Sequence, residues 1–397
     1  MIVPLSPLVY APLLVVAAEA SGDQHGAALI RALRERFSSL QVYGIGGEAM
    51  RAAGVDTLFD IQSLNVVGAV EILAKIPTGL RMARHLLQTA AQRGTRVAVL
   101  IDAPGFNLHF ARLAKRAGLR VVYYISPQIW AWRQHRIKRI ARYVDKMLTL
   151  FPFEVPLYTA AGVDATYVGH PLLDRLEPLP TPLQAARSLG LDPQQPIVAL
   201  LPGSRCQELH HLFPIMLAAF QRIQQRLPRV QGIVPVAPTL PLAEVQQWLP
   251  RQPLPITLVQ GHTHTALQAA HCALVTSGTA TLEAGLIGTP MVVVYKIHPL
   301  TAWLARRVLR IPYIGLANIV AGKPVVPELL QEALCPATLA ALALHYLEHP
   351  AVAQHVRDTL AGLRQSLGTG NGAQRAATYV GEFVQRTSLP TAVTVAR

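Results

Sequence analysis

Charged residues are scarce in this sequence. They make up 15% of its 397 residues, whereas hydrophobic residues make up 51%. A chain with so little charge can bury enough apolar surface to fold, which excludes disorder over most of its length. The charge is also one-sided, with 36 Lys and Arg against 22 Asp and Glu and a formal net charge of +14. This excess predicts an anionic partner or surface and carries no information about the fold.

The sequence also lacks an uninterrupted apolar run long enough to span a bilayer. The nearest candidate is the N-terminal stretch MIVPLSPLVYAPLLVVAAEASGD, which has no Lys or Arg before its apolar part. Pro4, Pro7 and Pro12 interrupt this stretch. It therefore fits neither a signal peptide nor a transmembrane helix.

Cysteine is rare as well, with only Cys206, Cys272 and Cys335. The three are scattered, without the spacing of a metal site or a redox pair, which indicates reduced thiols and a cytoplasmic protein. Any membrane association is therefore expected to be peripheral.

Ten short runs rich in Val, Leu and Ile alternate with helical stretches. Such runs are typical of parallel strands buried on both faces, and the alternation predicts βαβ units. One series is 13–18, 41–46, 97–102, 120–126 and 146–152, and the other is 197–203, 232–238, 256–261, 272–277 and 291–296. The sequence therefore predicts an α/β fold of two Rossmann-like, doubly wound parallel-sheet domains facing a cleft, with ligands at the carboxyl ends of the strands.

A proline-rich segment without a strand pattern separates the two series and sets the expected domain boundary. We expect an extension over 1–11, a first domain over 12–172, a linker over 173–195, a second domain over 196–350, and C-terminal helices and a tail over 351–397.

Ser21, Gly22 and Asp23 stand where the first strand turns into a helix. Small residues let backbone N–H groups approach an anion, and the helix dipole favours negative charge there. Ser and Asp are also common N-caps, so substrate binding and simple capping both explain the pattern.

Asp102 ends a strand that the pattern predicts to be buried. A carboxylate in this position must face a cleft or find a partner, because burying it bare is costly. An aspartate at the carboxyl end of a parallel strand can act as a general base on a hydroxyl, and the alternative is a structural cap of the next turn. We favour the base.

Gly203, Ser204 and Arg205 follow the first strand of the second series. Glycine turns the chain, serine can cap the next helix, and a guanidinium beside free N–H groups can clamp a diphosphate. The spacing is not that of a P-loop.

Ser277, Gly278 and Thr279 open a helix in the same domain, and Glu283 follows about one turn later. The helix start is a second anion-binding geometry, and the carboxylate could accept hydrogen bonds from ribose hydroxyls. Two phosphate-type loops in one domain predict a nucleotide site.

Eight segments match the motifs of one enzyme family. They are AEASGD (18–23), IDAPGFN (101–107), YISPQIWAWRQHRIKRI (124–140), PFE (152–154), GHPLLD (169–174), LLPGSR (200–205), SGTATLEAGLIGTPMVVVYK (277–296) and NIVAGKPVVPELLQ (318–331). On these segments the chain resembles the lipid-A-disaccharide synthases, glycosyltransferase family 19 of GT-B fold. The likeness runs in order from about residue 13 to residue 370.

The resemblance implies an inverting transfer that requires no metal or other cofactor. UDP-2,3-diacylglucosamine would donate its sugar to the 6-hydroxyl of 2,3-diacylglucosamine 1-phosphate (lipid X), giving a β-1,6-linked tetraacyl disaccharide 1-phosphate and UDP. The reaction belongs to lipid A biosynthesis.

The resemblance also implies roles for individual residues. Asp102 corresponds to the proposed base and Arg205 to an arginine that balances charge on departing UDP. Glu283 and Asn318 match positions near the donor, Glu283 at the ribose and Asn318 at donor or acceptor. One departure is Gly105, where relatives often carry a second acidic residue, so Asp102 is the only carboxylate of its segment.

The stretch SPQIWAWRQHRIKRIARYVDK (126–146) predicts an amphipathic basic helix, because cations and apolar residues recur every three or four positions on opposite sides. The cations are Arg133, Arg136, Arg139, Arg142 and Lys146, and the apolar residues are Ile137, Ile140, Val144 and Met147. Trp130, Trp132 and Arg133 are candidates for a membrane or acceptor surface. A protein core suits the two tryptophans nearly as well.

Residues 64–87 mix apolar side chains with cations, as shallow insertion into a membrane requires. The candidate contacts are Val66, Val67, Val70, Leu73 and Lys75. We expect this segment to dock on the anionic inner-membrane surface, where an acylated acceptor would reside.

Three alternatives remain. The basic stretch could bind nucleic acid, but no nucleic-acid module is recognisable, and we expect no such partner. The chain could be another GT-B UDP-sugar transferase or a UDP-sugar 2-epimerase, or a membrane-bound UDP-sugar-binding protein without activity. The sequence leaves a homo-oligomer open.

Overall fold

The computed structural model describes residues 10–63, 69–176, 178–250, 253–308 and 311–388. The chain divides into two compact units. The first contains the residues up to Asp174 together with the chain from Gly370 onward, and the second is Arg175–Thr369. Each unit is built on one parallel sheet with helices packed against it.

The first unit has a seven-stranded sheet in the order β3-β2-β1-β4-β5-β6-β7. The strands are β1 (Leu13–Ala17), β2 (Val42–Gly46), β3 (Asp56–Asp60), β4 (Val97–Ile101), β5 (Arg120–Tyr124), β6 (Lys146–Thr149) and β7 (Ala165–Tyr167). The chain runs outward from β1 to β3 and then returns to β4 on the other side of β1. This makes the β1/β4 boundary the topological switch point, where α/β proteins bind ligands.

Seven helices accompany these strands in the described part of the chain. They are α1 (Ala20–Arg36), α2 (Glu48–Ala52), α3 (Ala69–Gln92), α4 (Pro104–Arg116), α5 (Ile137–Tyr143), α6 (Glu154–Thr159) and α7 (Leu172–Arg175), with 3-10 turns at Ile61–Ser63 and Gln134–Arg136. All five residues of β1 and of β4 are buried. Each buried Val or Leu contributes about 1.5–3 kcal/mol relative to exposure, so these two strands anchor the core.

The second unit has a six-stranded sheet in the order β10-β9-β8-β11-β12-β13. Its strands are β8 (Ile197–Leu201), β9 (Gln231–Val236), β10 (Ile256–Gln260), β11 (Cys272–Thr276), β12 (Met291–Tyr295) and β13 (Glu328–Leu330). Its helices are α8 (Pro182–Ser188), α9 (Cys206–Arg226), α10 (Leu242–Gln246), α11 (Thr263–Ala269), α12 (Thr279–Ile287), α13 (Pro299–Val308), α14 (Leu316–Ala321), α15 (Pro336–Glu348) and α16 (Pro350–Leu367). The switch point of this sheet lies between β8 and β11.

The last helix, α17 (Gly372–Ser388), belongs to the first unit and packs on α1. The Arg375 side chain donates from Nε to the carbonyl of Val168 at 2.8 Å and from Nη1 to that of Gly370 at 2.7 Å. The predicted C-terminal segment 351–397 therefore contributes α16 to the second unit and α17 to the first. The predicted linker 173–195 contains α8, whose N-terminus is a capping box between Thr181 and Gln184.

All ten predicted strands are present, and the two parallel-sheet α/β domains are confirmed. The sequence did not predict β3, β7 and β13, which form three of the four sheet edges. Edge strands are covered on fewer sides, so their segments DTLFD, ATY and ELL show no continuous apolar run.

Within the described ranges, no helix combines the length and apolar composition needed to cross a bilayer.

Candidate active site

Asp102 follows β4 directly, at the switch point of the first sheet, in a strained backbone conformation. Its φ is 48° and that of Ala103 is 45°, so two consecutive non-glycine residues adopt the left-handed region. Each such residue costs on the order of 1–3 kcal/mol and persists only where its surroundings over-determine it. Strain of this kind is typical of functional sites.

Neighbouring residues hold the strained loop from several sides. Asn107 Nδ2 donates to the carbonyls of Ile101 at 3.0 Å and Asp102 at 2.9 Å, and Tyr123 Oη donates to the Asp102 carbonyl at 2.6 Å. The Asp102 N–H donates to the Tyr124 carbonyl at 3.0 Å. Asn107 and Tyr123 are fully buried, so the loop rests on the core.

The electrostatics of the Asp102 carboxyl suit a base. Burial, and after it the neighbouring Glu19, raises the pKa of Asp102 to about 6, although the hydrogen bond from the N–H of Ala103 opposes the shift. Glu19 follows β1, which pairs with β4 in the register Ala17↔Ile101, so the sheet places the two acidic residues at neighbouring strand ends. A carboxylate with a pKa of about 6 is ionised at pH 7 yet more basic than an ordinary aspartate, as general-base catalysis requires.

The loop after β1 is only partly available to a ligand. Helix α1 begins at Ala20, so Ser21 and Gly22 lie in its first turn, with Ser21 exposed. Asp23 is 4% exposed, and its carboxylate accepts hydrogen bonds from the N–H groups of Gly47, Ala49 and Met50 at 2.7, 3.0 and 3.1 Å. Asp23 therefore caps α2, and its predicted substrate contact rests on the sequence alone.

A pocket of about 440 Å³ opens beside this cap within the first unit. It is lined by residues after β1, β2 and β3, including Gln24, Glu48, Arg51 and Gln62. These positions follow the carboxyl ends of three neighbouring strands, at the edge of the sheet that also carries Asp102.

Arg205 stands at the N-cap of α9 with its guanidinium largely in solvent. The side chain is 80% exposed, and its one ion pair is with Glu208 at 3.2 Å, among the residues the structure describes. Glu208 also accepts from the N–H of Ser204 at 2.9 Å, so it fixes the loop. Gly203 has φ 114°, and a Cβ there would come within 2.4 Å of the Glu208 carboxylate, so glycine is required.

The second predicted phosphate loop lies beside the first. β8 and β11 pair in the register Leu201↔Val275, and Thr276 Oγ1 donates to the Leu201 carbonyl at 2.9 Å. Gly203–Arg205 and Ser277–Thr279 therefore leave neighbouring strands at the switch point of the second sheet. The sequence predicted both loops, and the fold brings them together.

Glu283 faces His264, whose Nε2 lies 3.3 Å from the carboxylate. The Glu283 side chain is 19% exposed, so one face can still meet a ligand. The sequence did not single out His264, because only the packing of α11 on α12 brings residues this far apart in the chain into contact.

Asn318 is fully buried, and its amide makes four hydrogen bonds within the protein. Nδ2 donates to the Val326 carbonyl and the Glu328 carboxylate, and Oδ1 accepts from the N–H groups of Val325 and Val326. This is the full capacity of an amide. Asn318 therefore fixes the segment around α14, and its contact with donor or acceptor stays a prediction from the sequence.

The basic helix is shorter than the repeat of cations and apolar residues over 126–146 predicted. A 3-10 turn at Gln134–Arg136 leads into α5, which ends at Tyr143. Lys146 begins β6, is 7% exposed and pairs with Asp164 at 2.7 Å. The periodicity continued across a helix end and into a strand, so the prediction that Lys146 belongs to the basic face is wrong.

The two tryptophans have different environments. Trp130 is half-buried, donates from Nε1 to Glu154 at 3.0 Å and packs edge-on against Phe153. Trp132 is 41% exposed, and the Arg133 guanidinium lies 4.1 Å from its ring centre. Trp130 is therefore held against the protein by its ring nitrogen and by Phe153, and Trp132 and Arg133 lie on the surface.

Glu154 is a buried carboxyl that the sequence did not single out. It accepts hydrogen bonds from Ser126, Trp130 and the N–H of Phe151 at 2.7, 3.0 and 3.1 Å. Burial raises the pKa of Glu154 to about 7, although these hydrogen bonds oppose the shift. Its hydrogen bonds to Ser126 and Trp130 hold the loop 126–130 in place.

The structure describes only some of the residues predicted as membrane contacts in the segment 64–87. Val66 and Val67 lie outside the described residues, and Val70, Leu73 and Lys75 belong to α3.

Comparisons with known proteins address the family. A family model described as lipid-A-disaccharide synthetase matches residues 13–377. A lipid-A-disaccharide synthase of Geobacter sulfurreducens is 44% identical over 94% of this chain and 97% of the relative, and one of Coxiella burnetii is 41% identical over 94% and 98%.

Solved structures share the fold at much lower identity. The calicheamicin glycosyltransferase CalG4 has a TM-score of 0.60 at 15% identity, covering 96% of this chain and 100% of that one. A UDP-GlcNAc 2-epimerase from Neisseria meningitidis has a TM-score of 0.58 at 10% identity, covering 94% and 100%. These likenesses concern the fold alone. The family match and the relatives above 40% identity show that the chain belongs to the lipid-A-disaccharide synthase family.

Proposed function

We propose that the chain joins UDP-2,3-diacylglucosamine to 2,3-diacylglucosamine 1-phosphate in lipid A biosynthesis. The products are the β-1,6-linked tetraacyl disaccharide 1-phosphate and UDP. Family membership supports this transfer over the epimerase and nucleic-acid alternatives. The observation that carries the chemistry is Asp102, a raised-pKa carboxyl on a strained loop at the switch point of its sheet.

Asp102 serves as the general base. The acceptor's 6-hydroxyl oxygen bonds to the anomeric carbon of the donor, the bond from that carbon to the UDP oxygen breaks, and the hydroxyl proton passes to the Asp102 carboxylate. Direct displacement inverts the anomeric configuration. Proton removal of this kind typically contributes about 10²–10⁴-fold to the rate.

The second unit binds the donor. Arg205 offers an exposed guanidinium to the pyrophosphate of UDP, where negative charge grows as the bond breaks. The N-terminus of α12 at Gly278–Thr279 adds backbone N–H groups and a favourable dipole, whereas the Ser277 N–H already donates to the Val294 carbonyl. Glu283, oriented by His264, accepts from the ribose hydroxyls.

The test is incubation of the purified protein with both substrates, measuring UDP and disaccharide. We expect Asp102→Asn to lower kcat by about 10²–10⁴-fold and leave donor binding intact. Asp358→Asn is the matched control, because this exposed carboxylate bonds only to Gln354, among the residues the structure describes. An Asp102→Asn variant with wild-type turnover would exclude the base.

The protein also acts as a peripheral protein of the inner membrane, with residues 64–87 as the docking segment. The support is the apolar and basic composition of this segment, with the exposed Trp132 and Arg133 as further contacts. The test is co-sedimentation with anionic vesicles. Val70→Asp and Leu73→Asp should weaken it, and Leu183→Asp, at an exposed leucine of the second unit, should not. Unchanged sedimentation of the first two variants would refute the docking segment.

A further inference from the structure

Four arginines and one histidine gather on one face of the first unit. His109 and Arg112 lie one turn apart on α4, and Arg136 and Arg139 are likewise one turn apart at the start of α5. The two helices pack together. Arg133 lies 4.1 Å from the ring centre of Trp132, and Arg136 lies 5.9 Å from it. We call these five residues the basic cluster.

No carboxylate of the described residues forms an ion pair with the basic cluster. Neighbouring cations are different, because Lys115 and Arg120 pair with Asp145 and Lys146 pairs with Asp164. The pKa values of two members of the cluster show the effect of burial and of neighbouring positive charge. Burial, then Arg133, lowers the pKa of Arg136, and burial, then Arg139, Arg136 and Arg112, lowers the pKa of His109.

The basic cluster adjoins the loop that carries Asp102. Tyr123 donates its hydroxyl to the Asp102 carbonyl at 2.6 Å. Burial raises the pKa of that hydroxyl well above its usual value, and Arg136 lies close enough to oppose the shift. Helix α4 starts two residues after Asp102 and carries His109 and Arg112 in its second and third turns. A molecule that presents a hydroxyl to Asp102 can therefore extend onto the basic cluster within this unit.

We propose that the basic cluster binds a phosphate monoester carried by the acceptor, with Arg136 and Arg139 as its principal contacts. This inference rests on the proposed function, because Asp102 must receive the acceptor hydroxyl. A phosphate monoester carries close to two negative charges at neutral pH and accepts bidentate hydrogen bonds from guanidinium groups. Binding would neutralise the mutual repulsion of the cluster and orient the acceptor with respect to the base.

The kinetic test compares 2,3-diacylglucosamine 1-phosphate with the same acceptor lacking the phosphate, in neutral detergent micelles. We expect the wild type to prefer the phosphorylated acceptor in kcat/KM. Arg136→Gln and Arg139→Gln should each reduce that preference by about 10- to 100-fold, the effect of one charge-assisted hydrogen-bond pair. Activity towards the unphosphorylated acceptor should stay the same.

Lys138→Gln is the matched control, because it removes one positive charge from the same helix outside the basic cluster. It should leave the preference unchanged, and thermal melting of every variant checks the fold. A wild type that turns over both acceptors equally would refute the phosphate site and leave the proposed function standing.

A binding measurement separates the two proposals further. Isothermal titration with glucosamine 1-phosphate, glucosamine and inorganic phosphate needs no turnover. Binding of glucosamine 1-phosphate that both arginine variants weaken supports the site even where transferase activity fails. Equal binding of inorganic phosphate would assign the cluster to free phosphate. If the arginine variants lose binding to anionic vesicles but keep the acceptor preference, the basic cluster binds lipid headgroups. Either this result or equal binding of inorganic phosphate overturns the proposal.

Discussion

The pH dependence of the proposed transfer offers a sharp test of how Asp102 is tuned. Burial is the largest cause that raises its pKa from the ordinary value of 3.8 to about 6, and Glu19 is the second. Because the base must be ionised, kcat/KM should rise with pH through about 6 and level off above 7. Glu19→Gln removes a negative charge but leaves the backbone and the burial unchanged.

We expect Glu19→Gln to move the midpoint of this rise to lower pH by less than the roughly 2 units between 3.8 and about 6, since burial is the larger cause and remains. The plateau at high pH should fall slightly, because a less basic carboxylate is a weaker general base. The assay is kcat/KM for the acceptor from pH 4.5 to 9 in constant-ionic-strength buffers, with Glu48→Gln as the control carboxylate on α2. A midpoint that does not move, or one that moves to higher pH, would refute this account of the tuning.

Three further predictions concern the loops. Asp102→Asn should make the protein more stable than the wild type above pH 6. The native carboxyl binds its proton more tightly than the unfolded one, so the wild type loses at most about 3 kcal/mol of stability as pH rises from 3.8 through about 6, and asparagine avoids this loss. A difference in Tm between variant and wild type that fails to widen from pH 4 to pH 8 would contradict this prediction. Arg205→Lys should lower kcat/KM for the donor by about 10²–10³-fold, since an ammonium cannot make the bidentate contact, and equal kinetics of the two proteins would exclude a pyrophosphate role. Gly203→Ala should cost about 1–3 kcal/mol in urea unfolding because of its φ of 114° and the Glu208 carboxylate, whereas Gly362→Ala inside α16, with open space around it, should be neutral or stabilising.

The sequence predicts the fold correctly where the strands are buried on both faces of the sheet. The runs that became β1, β4, β8 and β11 are continuous and apolar, and their order along the chain places the switch points. The short edge strands escaped prediction because their faces are partly exposed.

The candidate site was predictable only in part, because several roles depend on distant partners. Asp102 and the two loops of the second unit lie at strand ends as predicted, since strand ends are visible in the sequence, and their roles stay predictions. Asp23 and Asn318 were predicted as ligand contacts, and the fold brings backbone groups to both, and the Glu328 carboxylate to Asn318, as hydrogen-bond partners within the protein. The pairing of His264 with Glu283 has no signal in the spacing of the sequence.

The most direct test of the central claim is a single-turnover reaction of the purified protein with limiting UDP-2,3-diacylglucosamine and excess 2,3-diacylglucosamine 1-phosphate. The account predicts one UDP and one disaccharide per donor, with the new linkage β by NMR of the anomeric proton. An α-linked product, or UDP released without disaccharide, would contradict a direct displacement with Asp102 as the base.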